Sequence, residues 1–287
     1  MRRIVVDMQN ALFTDAIAAA LRNFDSDFEV FESELPQKTA ELCGDVRADV
    51  LIAEVTSCTP WTFEDRMKTR SELKKICPEL DSLNIGGGFP IKNSLGFNYD
   101  YEYMTEEIVA QIKNICNLAE VEEPNLFTEF GSFTVGESGA TLFSIINQKQ
   151  QNDRESWYMI DSSFMTTLPD IWGINQRYIL LAINNWDKEY QRVFLGGLTC
   201  DSEDYYNGES HSNAIFLPKL NGGPQYIGFF HTGAYQESLG GFGGIQHCLI
   251  PAPKHIIIDR EKGDNEYYTR LFAKEQSYRS MMRILGY

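Results

Sequence analysis

The stretch Leu83-Asn84-Ile85-Gly86-Gly87-Gly88-Phe89-Pro90 decides how the chain is read. A short apolar run, Leu83–Ile85, gives way at once to three glycines. Consecutive glycines accept positive φ and let main-chain N–H groups come close to an anion, so a strand ending in such a turn can cradle a phosphate. The triplet has neither GxGxxG nor GxxxxGK[ST] spacing, so it is neither a dinucleotide fingerprint nor a P-loop. On its own it also reads as a tight strand-to-helix turn.

Upstream of this turn the sequence alternates strand and helix signals. Arg3–Val6 reads as a strand, and Ala11–Phe24 as a helix with Leu12, Ile17 and Leu21 at helical spacing. Phe28–Phe31 is a second strand, Gln37–Cys43 a helix stopped by Gly44, Asp49–Val55 a third strand, and Glu64–Cys77 a helix ended by Pro78. Downstream, Glu102–Ala119 places Ile108, Ile112, Ile115 and Leu118 on one stripe, and Asn125–Glu129 is a strand opening into Phe130-Gly131-Ser132. Five strands in one βα series imply a doubly wound parallel sheet with right-handed crossovers, flavodoxin-like by number.

From about Val135 the texture changes. Thr141–Ile146, Trp157–Ile160, Tyr178–Ala182, Arg192–Leu195, Ala214–Leu217, Tyr226–Phe230 and His255–Ile258 are short β-rich runs separated by glycine-rich turns. They predict an antiparallel β domain, with Tyr267–Leu285 as a closing helix. The expected class is therefore α/β plus all-β. The segments are a βα half-domain (1–78), a βαβ segment completing the sheet (79–135) and the β domain (136–287).

Composition narrows the function classes. The 287 residues are 43% hydrophobic and 13% aromatic, enough for a sizeable core and against global disorder. A formal charge of −16 argues against nucleic acid as a partner. Apolar runs such as Ile179–Ile183 are too short to span a bilayer, and Met1–Asp7 reads as a first strand, not as a signal peptide. The six cysteines form no CxxC pair, and several sit in apolar contexts, which points to free thiols in a reducing, cytoplasmic compartment. The four histidines show no HxH or HExxH spacing, so no protein metal site is expected.

Three further clusters could carry chemistry. Thr128-Glu129-Phe130-Gly131-Ser132 is a second glycine turn after a strand. Adjacent strand ends of a parallel sheet or barrel face one rim, so two such turns could grip one phosphate. Glu129 beside them could face a pyridine nitrogen, as an electron-sink cofactor needs, or could be a capping or salt-bridged carboxylate. Thr199-Cys200-Asp201-Ser202-Glu203-Asp204 sets three acids beside a thiol, fit to receive a guanidinium tail through Asp201 and Asp204, or else a solvated acidic turn. In Gly233-Ala234-Tyr235-Gln236 the phenol could reach a phosphate or simply fill a turn. Two motifs are set aside. Gly136-Glu137-Ser138-Gly139-Ala140 imitates a nucleophile elbow but lacks its last glycine, and Glu120–Glu123 reads as a solvated loop.

Together these residues resemble a known family. From about residue 79 to 287 the chain is similar to the C-terminal third of biosynthetic arginine decarboxylase, a pyridoxal-phosphate enzyme of the alanine-racemase-like class with a βα barrel and a β domain. The likeness runs through Asn84–Pro90, Phe127–Gly139, Gly197–Ser202, Phe229–Gln236 and Ile284-Leu285-Gly286-Tyr287. It implies that Gly86, Gly87, Gly88, Gly131 and Tyr235 hold the cofactor phosphate, and that Glu129 pairs with the pyridine nitrogen. Ser132 stands where many relatives have arginine. Cys200 and Asp201 match the catalytic pair that completes the partner subunit's site in a head-to-tail dimer. The implied reaction turns arginine into agmatine for polyamine and spermidine synthesis. The family's Schiff-base lysine lies in a Tyr-x-x-Lys-x-Asn-like segment that these 287 residues do not contain. The expectation is a decarboxylase-like protein that is inactive alone.

Residues 1–78 resemble the first half of a response-regulator receiver domain. Asp7 stands at its acidic turn and Glu54 at its phosphoacceptor position. Met8 breaks the acid pair that would bind Mg²⁺, so the likeness implies no phosphorylation. A join near Pro78–Asp81 would make a hybrid sheet of receiver and barrel strands. The alternative readings are a phosphorylation-independent signalling or interaction module and a fusion without function.

Overall fold

The computed structural model describes residues 2–7, 11–33, 36–53, 71, 73–75, 78–206, 215–240, 244, 247–263 and 265–287. Glu54 and most of the expected 64–77 helix lie outside these residues. The chain divides into two compact units. The first is Met1–Gly86 with Tyr99–Glu129, and the second is Gly87–Asn98 with Phe130–Tyr287. The stretch 79–135 thus contributes to both.

In the first unit β1 (Arg2–Asp7), β2 (Phe28–Glu32) and β3 (Val50–Ala53) form a parallel sheet in the order β2-β1-β3. The central strand is apolar on both faces, as a strand covered on two sides must be. Ile4 and Val6 pack with Ala18, Ile17 and Leu21 of α1 (Ala11–Phe24). Val5, on the opposite face, packs with Cys43, Leu42 and Val46 of α2 (Pro36–Val46) and with Leu73. β4 (Ser82–Asn84) and β5 (Asn125–Phe127) pair in parallel with each other as a separate two-stranded sheet. One continuous five-stranded sheet is therefore not what the described residues form, because no ladder joins β3 to β4.

Between β4 and β5 runs α3 (Tyr101–Ala119). Asp100 caps it by accepting a hydrogen bond from the Tyr103 amide at 2.9 Å, and Glu120 ends it in the left-handed region at φ 57°. Its stripe of Ile112, Ile115 and Cys116 packs with Leu83 and Val121. Leu118, expected on that stripe, is exposed.

The second unit opens with a short helix α4 (Gly131–Val135), followed by β6 (Ala140–Asn152), β7 (Glu155–Ile160), α5 (Phe164–Thr167), α6 (Pro169–Gly173), β8 (Ile179–Ala182) and β9 (Tyr190–Gly196). Then come β10 (Tyr205–Tyr206), β11 (Ile215–Pro218), β12 (Gln225–Phe230), α7 (Gln236–Gly240), β13 (His255–Asp259), β14 (Tyr268–Ala273) and α8 (Tyr278–Ile284). The main sheet has the order β10-β9-β7-β6-β12-β8, with β11 on β9. Its pairings are antiparallel except β7 with β9, which run parallel, so the sheet is mixed. One face buries Phe143, Tyr158, Ile160, Phe164, Leu195, Tyr206, Leu217, Ile227 and Phe229 in a single aromatic-rich core.

The closing helix is shorter than expected. Residues 268–273 pair antiparallel with β13, and the helix starts only after Ser277, whose Oγ accepts from the Ser280 amide. Tyr268, Thr269, Leu271 and Phe272 favour a pleated surface, and the facing Ile256–Ile258 run supplies the partner strand.

Candidate functional site

The first unit holds the carboxylate turn. The β4–β5 pairing sets Asn84 opposite Phe127, which brings the two strand ends together two residues before Glu129. Asn84 Nδ2 donates to Glu129 Oε1 at 2.5 Å, and its Oδ1 accepts from the Gly86 amide at 2.8 Å. The Glu129 amide donates to the Gly86 carbonyl at 2.8 Å. One asparagine thereby fixes both turns. Glu129 is neither a helix cap nor an ion-paired carboxylate among the described residues; it is an exposed acceptor held by an amide. The sequence reading assigns Asn84 a place in the deciding stretch but no role, although it stands two positions before the glycine run.

Gly86 and Gly88 have φ of +73° and +79° and open space where a side chain would project. Their glycine identity follows from the backbone conformation rather than from crowding. Gly87, between them, is exposed.

The second unit holds the tyrosine turn. Tyr235 has φ 64°, and its hydroxyl lies 3.7 Å from where a Cβ on Gly131 would sit. This closeness is built by the glycines of the motif that imitates a nucleophile elbow. The Thr232 amide donates to the Gly139 carbonyl at 3.0 Å, and the Gly233 amide to the Gly136 carbonyl at 3.0 Å. A Cβ on Gly139 would meet Gly233 Cα at 2.5 Å. Ser138 Oγ donates to the Val135 carbonyl, so that motif is a backbone clamp. Phe89 stacks obliquely on Phe130 with ring centroids 4.9 Å apart, which ties the segment after Gly88 to the start of α4.

The acidic turn divides its labour. Asp204 is buried, and its oxygens accept from the Phe164 amide at 2.8 Å, the Thr199 amide at 3.1 Å and Thr199 Oγ1 at 2.7 Å. A side chain on Gly197 would collide with that carboxylate. Asp204 thus holds the turn together, its two oxygens taken up by donors of the protein, where the sequence reading has it receive a guanidinium. Asp201 Oδ1 accepts from the Glu203 amide at 2.8 Å. Cys200 is exposed, and its Sγ lies 3.8 Å from Cys248 Sγ. That contact holds the proton on Cys200 and pushes its pKa up.

Asp7 Oδ2 accepts from Thr39 Oγ1 at 2.6 Å. No group of three or more His, Cys, Asp or Glu among the described residues could hold a metal ion. No helix among them is long and apolar enough to cross a membrane.

Comparison with solved structures shows the shared fold first. The chain is similar to diaminopimelate decarboxylase from Helicobacter pylori (TM-score 0.60, 17% identity, covering 87% of this chain and 59% of that one). It is also similar to lysine decarboxylase from Selenomonas ruminantium (TM-score 0.56, 20% identity, covering 85% and 66%). The chain shares its fold with these decarboxylases over most of its length.

The likeness then narrows. Biosynthetic arginine decarboxylase from Campylobacter jejuni matches with TM-score 0.68 and 17% identity, over 99% of this chain and 65% of that one. In sequence, arginine decarboxylase of Glycine max is 31% identical over 134 residues, 45% of this chain and 18% of that enzyme. The Proteus mirabilis biosynthetic enzyme is 36% identical over 133 residues, 43% and 20%. The chain resembles part of an arginine decarboxylase, and each matched stretch is less than half of the relative's own length. No protein-family profile matches the sequence.

Proposed function

We propose that this chain is an arginine decarboxylase-like protein that carries the phosphate and ring-nitrogen side of a pyridoxal-phosphate site. The observation that carries the reading is the approach of Tyr235 Oη to Gly131, since it joins two residues that the resemblance assigns independently to the phosphate. Gly86 in the first unit and Gly88 in the second, each at positive φ with open space above it, are assigned to the phosphate by the resemblance. Glu129, oriented by Asn84, fits the ring nitrogen. A structural neighbour solved with PLP and cadaverine supports the cofactor assignment. When bound, the cofactor supplies an electron sink for loss of carbon dioxide. The chain's own residues bind its phosphate and keep an acceptor at its ring nitrogen.

Cys200 and Asp201 complete the site of a partner subunit in a head-to-tail dimer with arginine as substrate, and Asp204 positions their turn. With no Tyr-x-x-Lys-x-Asn-like segment in its 287 residues, the chain is inactive by itself. A reducing, cytoplasmic setting suits the buried thiols of Cys43 and Cys116. The other reading, a receiver-like signalling or interaction module in residues 1–78, finds no support: the arginine decarboxylase structure matches over 99% of this chain, so the likeness takes in residues 1–78 as well.

Titration with pyridoxal phosphate and with dephosphorylated pyridoxal tests the main reading. Pyridoxal phosphate is expected to bind more tightly, and Tyr235→Phe to weaken it by about 10-fold, the value of one hydrogen bond to a charged group. Equal binding of the two compounds, unchanged by Tyr235→Phe, would contradict it.

A further inference from the structure

The sulfurs of Cys200 and Cys248 are 3.8 Å apart, in the turn after β9 and the turn at residues 247–249. Both residues are exposed, whereas Cys43 and Cys116 are buried. The Thr199–Asp204 hydrogen bonds fix the backbone that carries Cys200. Cys248 sits on a left-handed stretch, with φ 50° at Cys248 and 51° at Leu249, that presents it to solvent beside Cys200.

A disulfide needs its sulfurs about 2.05 Å apart, and these two thiols stand in contact before any bond is formed. Two solvent-accessible thiols already in contact form the arrangement from which a reversible bond is made in a reducing compartment, where disulfides are transient and redox-sensing. The proton held on Cys200 by the sulfur–sulfur contact marks the reduced pair as two interacting groups.

We propose that Cys200 and Cys248 form a reversible intrachain disulfide in response to low-molecular-weight disulfides. One thiolate attacks oxidised glutathione, giving a mixed disulfide and one glutathione. The second protein thiolate attacks the protein sulfur of that mixed disulfide and releases a second glutathione. Two protein thiols are oxidised, one glutathione disulfide is reduced to two thiols, and the two protons end on the released glutathiones. The bond withdraws the Cys200 thiol from chemistry, and the consequence for a partner's site rests on the decarboxylase reading above.

The full chain is equilibrated with oxidised glutathione, alkylated, digested without reduction and mapped by mass spectrometry. A Cys200–Cys248 linked peptide is expected, with the denatured thiol count falling by two of the six cysteines and returning after dithiothreitol. Cys248→Ser is expected to lose the linkage and to carry glutathione on Cys200. Cys200→Ser is expected to carry it on Cys248. Near-UV circular dichroism confirms that each variant is folded. Separate glutathione adducts on both cysteines of the wild-type chain, or linkage of either to another cysteine, would overturn the proposal. The mapping requires neither cofactor nor activity, so its failure is distinct from failure of the decarboxylase reading.

Discussion

The two units bury their apolar side chains in different ways. In the first, a parallel sheet covered on both faces splits its interior into small aliphatic groups: Ile4, Val6, Ala18 and Val30 on one side, and Val5, Cys43 and Leu73 on the other. The α3 stripe packs as a third group. In the second, one face of a mixed sheet gathers fifteen buried residues into one cluster, with Phe143, Phe164, Tyr206 and Phe229 in edge-on or tilted contact. A strand covered on both sides takes small branched residues, whereas a face covered on one side can take large rings. Loss of a side chain should therefore be felt more in the second unit than in the first.

Phe229→Ala should have the largest effect. It empties a fully buried ring site and should destabilise the second unit by about 3–5 kcal/mol. Urea unfolding followed by hydrogen exchange on peptides of each unit reads this directly. Ile4→Val in the first unit should cost about 0.5–1.5 kcal/mol. Equal losses from the two substitutions would break the comparison.

Asp204→Ala comes next. It leaves the Phe164 amide and the Thr199 amide and hydroxyl without their acceptor. A loss of about 3 kcal/mol is expected, since each buried donor left unpaired is worth about 1–3 kcal/mol. Exchange protection should fall in the 197–204 turn first. A variant as stable as the parent would mean that Asp204 is not the staple of this turn.

Asp100→Ala removes the N-cap of α3 and should cost about 1 kcal/mol, confined to that helix. An effect spreading to β1–β3 would show that the separate apolar groups of the first unit act as one core, which sharpens where the comparison applies.

The sequence made much of this layout legible. Alternating apolar runs identified β1 to β3 with their helices, and the glycine turns stand directly after β4 and β5 where the sequence placed them. Pairing was less legible, because a parallel strand's composition does not name its neighbours. The separation of β4–β5 from β1–β3 and the parallel β7–β9 ladder are long-range choices of this kind. Residues 267–285 misled because aromatic and branched residues sit in helices or strands according to their partners, and Ile256–Ile258 supplied a strand. Asp204 lies in an acidic run that reads as solvated, and only the fold buries it beneath Gly197. Cys200 and Cys248 are forty-eight positions apart, and no local spacing connects them.

The most direct test measures carbon dioxide release from carboxyl-labelled arginine by the purified chain with pyridoxal phosphate, followed by borohydride reduction and peptide mapping. The expected result is no release by the chain alone and no cofactor reduced onto a lysine. Sustained release together with one lysine carrying the reduced cofactor would contradict the central claim, that these residues hold the cofactor's phosphate and ring nitrogen without the amine that bonds to it.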